Sequence, residues 1–454
     1  MLAIKRSILI LSCFVFAASM AVSQPPKAQF APLDREREDV ADKDVPKTAD
    51  INLANRLALS SEADYVIHNA AELANIEKVL KYYLYRLTWE EVQKDRDPAR
   101  VGTVGSIMTD LIGTSDNSPR LLPKSFFGPA PDQDAAATRV RQLNYVQQIT
   151  PIMIKHAKLV MQNKQYIARI NGARVLARLA EWGQEAAIEE LISIINHPGE
   201  HDAVKHWAFR GLEEAFALNG TNDIRAKTLF QGKKGGELFQ NALFAIYDWL
   251  NAHTKMPAAR LQYLQPEEVD AIRVVRRAAE KALGASRRPL IIDDRAAGKQ
   301  QGPIAELLNR IVAGDASITP AANSRERLDA TIALCQLRTD YSPSYQPDYS
   351  AFQIGMFLRE LGAEANANMA NKGAMTFSWP LEAQRISAAL NGFVAQKTTP
   401  PIASYLANFK AKVVFLLEFF DDNTKNTDSV QGLASWLQDN RPASQEVFKP
   451  LGQK

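Results

Sequence analysis

Residues 167–216 read IARINGARVLARLAEWGQEAAIEELISIINHPGEHDAVKHWAFRGLEEAF, and the fold is decided here. Ile167, Ile170, Val175, Leu176 and Leu179 keep a helical phase as far as Gly183, and Ile188, Leu191, Ile192 and Ile195 do so as far as Pro198. Val204, Trp207, Ala208, Gly211, Leu212 and Ala215 then follow at i, i+3, i+4, i+7, i+8 and i+11. The spacing predicts three amphipathic helices separated by Gly and Pro-Gly breaks. Each is too short to be stable alone in water, so they must pack on one another.

The first and third of these helices share a finer pattern. Arg169, Gly172 and Leu176 are basic, small and apolar at relative positions 0, 3 and 7, and Lys205, Ala208 and Leu212 repeat this 36 residues later. Arg276, Ala279 and Leu283 do so again after 71 more, close to twice the first interval. A period of that size is the mark of stacked helical hairpins. In the slot between the second and third copies, Ala242, Ala245 and Trp249 fit only loosely, so that copy reads as divergent or absent. Arg327, Ala330 and Leu334 show the pattern once more, 51 residues after Arg276, where the period is lost.

Working outward, the N-terminus reads as an export signal over residues 1–23: Lys5 and Arg6, an uncharged apolar run from Ser7 to Ala18, then small residues at Ser19, Ala21 and Ser23. Export would place the chain in the periplasm, cell envelope or extracellular space, with contact to a membrane only through an uncleaved signal. Formal net charge is +3, of which Lys5 and Arg6 contribute two. The mature chain is then near neutral, which gives no nucleic-acid footprint. With Cys13 inside the signal, Cys335 is the only cysteine left, so no internal disulfide forms and stability rests on packing. Its apolar helical neighbours mark Cys335 as a buried small hydrophobe.

Residues 24–50, rich in Pro and charge, read as a disordered linker. Residues 51–134 form an N-terminal helical segment, with Ile76, Val79, Leu80, Tyr83, Leu84 and Leu87 on one long helix and a long Pro/Gly loop from Thr114 to Asp134. Residues 135–286 hold the repeat core, with a break or kink at Pro151 and a polar insertion from Ile224 to Gly236. Residues 287–323 read as a linker containing a short strand at Leu290–Ile292 and a helix from Ile304 to Val312. A C-terminal helical segment, 324–440, and a tail, 441–454, complete the chain.

The segments Arg169–Gly183 and Val274–Gly284 resemble the helices of HEAT-type, armadillo-like repeats in their basic residue, small residues one turn on, leucine after that and closing glycine. The resemblance covers about residues 167–284. It implies an all-α fold: a right-handed, α-solenoid-like stack of helical hairpins with flanking helical segments. It further implies a scaffold that binds other proteins, and it brings no catalytic motif.

The common chemical signatures are missing: there is no Gly-x-Ser-x-Gly, His-Glu-x-x-His or Cys-x-x-Cys. His197, His201 and His206 cluster, but Pro198-Gly199 separates the first pair and the second is spaced by five, so a polar loop is the better reading than a metal site. Asp421–Asp428 lacks the glycine and the bidentate glutamate of a calcium loop, and Gly232–Gly236 lacks the spacing of a phosphate loop. The adjacent pairs Glu189-Glu190 and Glu213-Glu214 point apart on their helices and read as solvated faces. No catalytic, cofactor or metal residue is therefore assigned. The candidate partner contacts are Tyr341, Tyr345 and Tyr349, rings among prolines and hydroxyls that suit recognition of a peptide or sugar. The expectation is an exported, non-catalytic scaffold binding a protein or cell-envelope glycan. The alternative is a secreted, all-helical, α/α toroid-like glycan hydrolase, with Trp182, Trp207 and Trp379 lining sugar subsites and two carboxylates in a deep pocket.

Overall fold

A computed structural model describes residues 45–59, 64–95, 102–113, 121–122, 133–293, 300–370, 379–418, 423–442 and 446–449. The predicted signal and most of the 24–50 linker lie outside these residues, as does most of the 114–134 loop. Among the described residues the protein is all-α, with seventeen α-helices and one two-stranded antiparallel hairpin.

The N-terminal helices are α1 (Thr48–Ala54), α2 (Ala70–Arg86), α3 (Glu90–Lys94), α4 (Val104–Ile112) and α5 (Gln133–Met161). Helix α1 begins inside the stretch read as linker. Helix α5 runs unbroken through Pro151, so the break expected there is absent. The three helices of the opening stretch follow as α6 (Tyr166–Glu181), α7 (Glu185–Asn196) and α8 (Asp202–Leu218). Helix α6 is buried on two sides. Ala168, Val175 and Leu179 join a core with α1, α2, α4 and α5, whereas Ala173, Leu176 and Ala180 join a second core that continues to the C-terminal helices.

After α8 come α9 (Gly232–His253), α10 (Ala258–Leu261), α11 (Pro266–Ala285), β1 (Ile291–Asp293), β2 (Gln300–Gly302), α12 (Ile304–Ala313), α13 (Ser324–Gln336), α14 (Pro347–Ala370), α15 (Trp379–Val394), α16 (Pro400–Glu418) and α17 (Asn423–Asp439). The helices α6, α8, α11, α13 and α15 pack successively on one another as a first row. In a second row, α7 packs on α9, the β-hairpin packs on α9, and α12 packs on α14, which packs on α16 and α17. Segments read as connections belong to this framework. Gly232–Gly236 is the first turn of α9 rather than part of an insertion. The stretch 287–323 carries α12, whose Ile304, Leu307, Leu308, Ile311 and Val312 are all buried, so it is a packed element and not a linker.

The rows explain the irregular period. Arg169, Lys205, Arg276 and Arg327 lie on four consecutive first-row helices, and only the connections between them vary in length. The helices of Lys205 and Arg276 pack directly on each other. Ala242, Ala245 and Trp249 fit loosely because they sit on α9, a second-row helix with a different burial pattern.

Each repeated position has a packing role. Ala208, Ala279 and Ala330 are fully buried where first-row helices meet, and Leu176, Leu212, Leu283 and Leu334 fill the core. Two of the basic residues are buried ties between consecutive first-row helices. Arg169 donates from Nε to Glu200, just ahead of α8, at 3.0 Å and from Nη1 to the Asn163 carbonyl at 2.7 Å. Arg276 donates from Nη2 to Glu326, in the first turn of α13, at 2.7 Å and to the Pro320 carbonyl at 3.0 Å. Its Nε also lies 2.6 Å from the other Glu326 oxygen, off the N–H direction. Arg327 departs from the pattern and reaches Glu360 and the Val312 carbonyl near the surface. Gly284, read as a closing glycine, is inside α11, where a Cβ would stand 2.6 Å from the Ala333 Cα. Its role is to let α11 and α13 approach closely.

Candidate functional site

The first-row helices bring their C-terminal parts to one cleft of about 730 Å³. Arg210, Glu213 and Glu214 come from α8, Lys281 from α11, Gln336 from α13 and Arg385 from α15, with Arg287 and Arg338 from the segments just after α11 and α13. Small side chains, among them Ala217, Ala333 and Ala388, make the floor. Five cations and two carboxylates line the cleft, and no aromatic ring does.

Asp329, almost fully buried beside this surface, organises the cations. It accepts from Arg277 Nε at 2.6 Å and Arg385 Nη2 at 2.7 Å, and Lys281 Nζ is 3.3 Å away. Burial pushes its carboxyl up, but Lys281, Arg277 and Arg385 overcome this and hold it below its usual range. Glu213 goes the other way: burial raises its pKa, and Arg210, 3.3 Å away, counters only part of that. Glu214 is raised as well, by burial and then by the neighbouring charges of Glu181 and Glu213. The pair read from sequence as a solvated face therefore lines a cleft, because α8 turns that side toward α11 rather than to open solvent.

Arg338 donates to the Gly392 carbonyl at 2.5 Å, and its own N–H donates to the Arg287 carbonyl at 3.0 Å. No carboxylate among the described residues pairs with Arg287. Its φ of +62° is a left-handed conformation that disfavours a side chain. The chain thus holds a strained arginine where a helix would ordinarily end on glycine, and that arginine faces the cleft.

The three candidate tyrosines do not share a surface. Tyr345 is 2% exposed, its hydroxyl donates to Ser350 Oγ at 3.1 Å, and it belongs to the core rather than to any contact surface. Tyr349 lines a cavity of about 630 Å³ with Asn309 and Phe448. Tyr341 is exposed on the far side of Arg288, whose guanidinium lies 4.0 Å from its ring centre. Tyr341 ends the 3₁₀ turn Thr339–Tyr341, Tyr345 lies in the connection that follows, and Tyr349 is in the first turn of α14, so the three rings have different surroundings.

The histidines shape turns. His197 Nδ1 accepts from the Gly199 N–H at 3.1 Å, and His201 caps α8 through the Ala203 N–H while stacking on Tyr166. Trp182 is 1% exposed in the core, and Trp207 lies beneath Arg174, whose guanidinium is 5.0 Å from the ring centre, so neither presents an open sugar platform. The side chain of Trp379 lies outside the described residues. Glu213 and Glu214 line the cleft as adjacent residues of one helix, and Asp329 beside it is occupied by three cations.

The cleft residues were missed because they are spread over four helices and two connections. Their convergence becomes visible only once the first row is assembled. The chain matches no protein-family model, and comparison with curated proteins and with solved structures finds no significant similarity.

Proposed function

We propose that the protein is an exported, non-catalytic scaffold, a right-handed α-solenoid-like stack of HEAT-type hairpins that binds a protein partner along its first-row surface. The observation that carries this reading is the cleft: four consecutive first-row helices contribute side chains to one charged surface with a floor of small residues. Such a floor lets another backbone come close, and the mixed arginines and glutamates supply charge complementarity, which favours specificity and association rate. The absence of aromatic rings from the cleft favours a protein over a glycan. The alternative of a glycan hydrolase has less support, since Asp329 is committed to Arg277, Lys281 and Arg385 and the two cleft glutamates, Glu213 and Glu214, are adjacent on one helix rather than facing each other across the cleft.

The test is photo-crosslinking in the native host. A photo-reactive residue replacing Gln336, which is exposed in the cleft, is expected to give a discrete adduct, and one replacing the outlying Tyr263, 77% exposed, is not. Equal labelling from both positions would defeat the proposal.

A further inference from the structure

Arg287 and Arg288 face different cavities. Arg288 opens onto a second pocket of about 350 Å³, built between α9, β1 and the turn that carries Tyr341. Its lining is mixed: Phe230, Phe239, Leu243, Ile291, Ile292 and Tyr341 stand beside Asn219, Gln240 and Arg288. Phe239, Leu243 and Ile291 are buried, whereas Ile292 and Tyr341, at 42% and 43% exposed, are among the most exposed large apolar side chains of the described residues, and both stand at this pocket. Exposed apolar groups that converge on a cavity mark a binding site more often than scattered ones do.

The pocket is held open by an unusual backbone. Phe230 has φ +57°, a conformation rare for a bulky residue, and its N–H donates to Glu185 Oε1 at 2.6 Å. Gly235 makes room for it, since a Cβ there would lie 2.4 Å from the Phe230 carbonyl carbon. Phe230 then packs edge-on to Phe239 at 5.0 Å and forms one wall.

Arg288 supplies the charge. Its guanidinium lies over Tyr341 at 4.0 Å and 5.7 Å from the Phe239 ring centre, and no carboxylate among the described residues pairs with it. None of the residues lining the pocket is acidic. A half-buried guanidinium without a counter-ion, beside a group of apolar side chains, is matched by a ligand that brings an anion and an apolar group together.

We propose that this pocket binds a carboxylate attached to an apolar group, with the carboxylate accepting from Arg288 and the apolar part lying between Phe230, Phe239 and Ile292. The same chemistry is offered by the C-terminal residue of a peptide ending in a large apolar side chain and by a free fatty acid. The site is separate from the first-row cleft and does not rest on it.

The full chain is titrated calorimetrically with N-acetylphenylalanine, its primary amide and octanoate. Binding of N-acetylphenylalanine alone supports the proposal with a peptide terminus as the source, and binding of octanoate alone supports it with a fatty acid. Arg288→Gln is expected to weaken either by about tenfold or more, the effect of losing one hydrogen bond to a charged group. Its melting temperature should fall only slightly, since Arg288 makes no side-chain hydrogen bond within the described fold and loses only its contacts over the Tyr341 and Phe239 rings. Tyr341→Ala should weaken binding as well. The proposal is overturned if neither acid binds, if the amide binds as well as its acid, or if Arg288→Gln binds as tightly as the native chain. The comparison of acid with amide uses the native chain and holds even if a variant fails to fold.

Discussion

Arg276→Met isolates the buried tie between α11 and α13. In the native protein Arg276 and Glu326 are both fully buried, and the guanidinium also serves the Pro320 carbonyl and, at 3.3 Å, the His253 carbonyl. Methionine fills much of the same space but leaves the Glu326 carboxylate without its counter-charge beside Glu280, itself fully buried. Breaking a buried pair by removing one partner costs about 3–5 kcal/mol. A loss near the middle of that range is expected at pH 7. Arg276→Met combined with Glu326→Leu removes both charges and should recover most of the stability. Urea unfolding followed by circular dichroism measures all three chains. A loss below about 1 kcal/mol for the single variant, or a double variant no better than the single, would refute the assignment of this arginine as a buried tie.

Two further outcomes follow from the same helices. Burial, followed by the charges of Glu326 and Asp329, raises the Glu280 pKa well above its ordinary 4.5, so the folded protein holds a proton there that the unfolded chain releases. That contribution is complete below pH 4.5 and is lost as pH rises through the folded value; Glu280→Gln should therefore be at least as stable as the native chain at pH 8 and show a flatter stability profile above pH 4.5, as read by melting temperature against pH. Gly284→Ala forces a methyl group against Ala333 and should lower stability by about 1–3 kcal/mol, the usual cost of overpacking, whereas an unchanged urea midpoint would mean that α11 and α13 are not in close contact.

The helices of residues 167–216 were legible because apolar spacing at the helical period reports burial on a single face. The 0, 3, 7 pattern was legible for the same reason, but its period misled. Counting along the chain treats second-row α9 as a failed first-row copy, and only packing separates the rows. Local composition misled at two points. Gly232–Gly236 looks like a helix breaker but is tolerated in the first turn of α9, where Gly235 makes room for Phe230. Residues 287–323 look like a linker because of the Arg287–Pro289 and Gly298–Pro303 segments, yet α12, which follows them, is a deeply packed helix. The binding surfaces were the least legible. Tyr341, Tyr345 and Tyr349 are close in sequence and diverge in space, whereas Arg210, Lys281 and Arg385 are far apart in sequence and converge.

The most direct test of the proposed scaffold is to repeat the crosslinking from Gln336 with Arg287→Gly in the same chain. Glycine suits the left-handed backbone at 287, so this variant should melt at or above the native temperature while the cleft loses a cation. The account predicts a discrete adduct with the native residue at 287 and a clear loss of it with glycine. An adduct of undiminished yield from the glycine variant would contradict it.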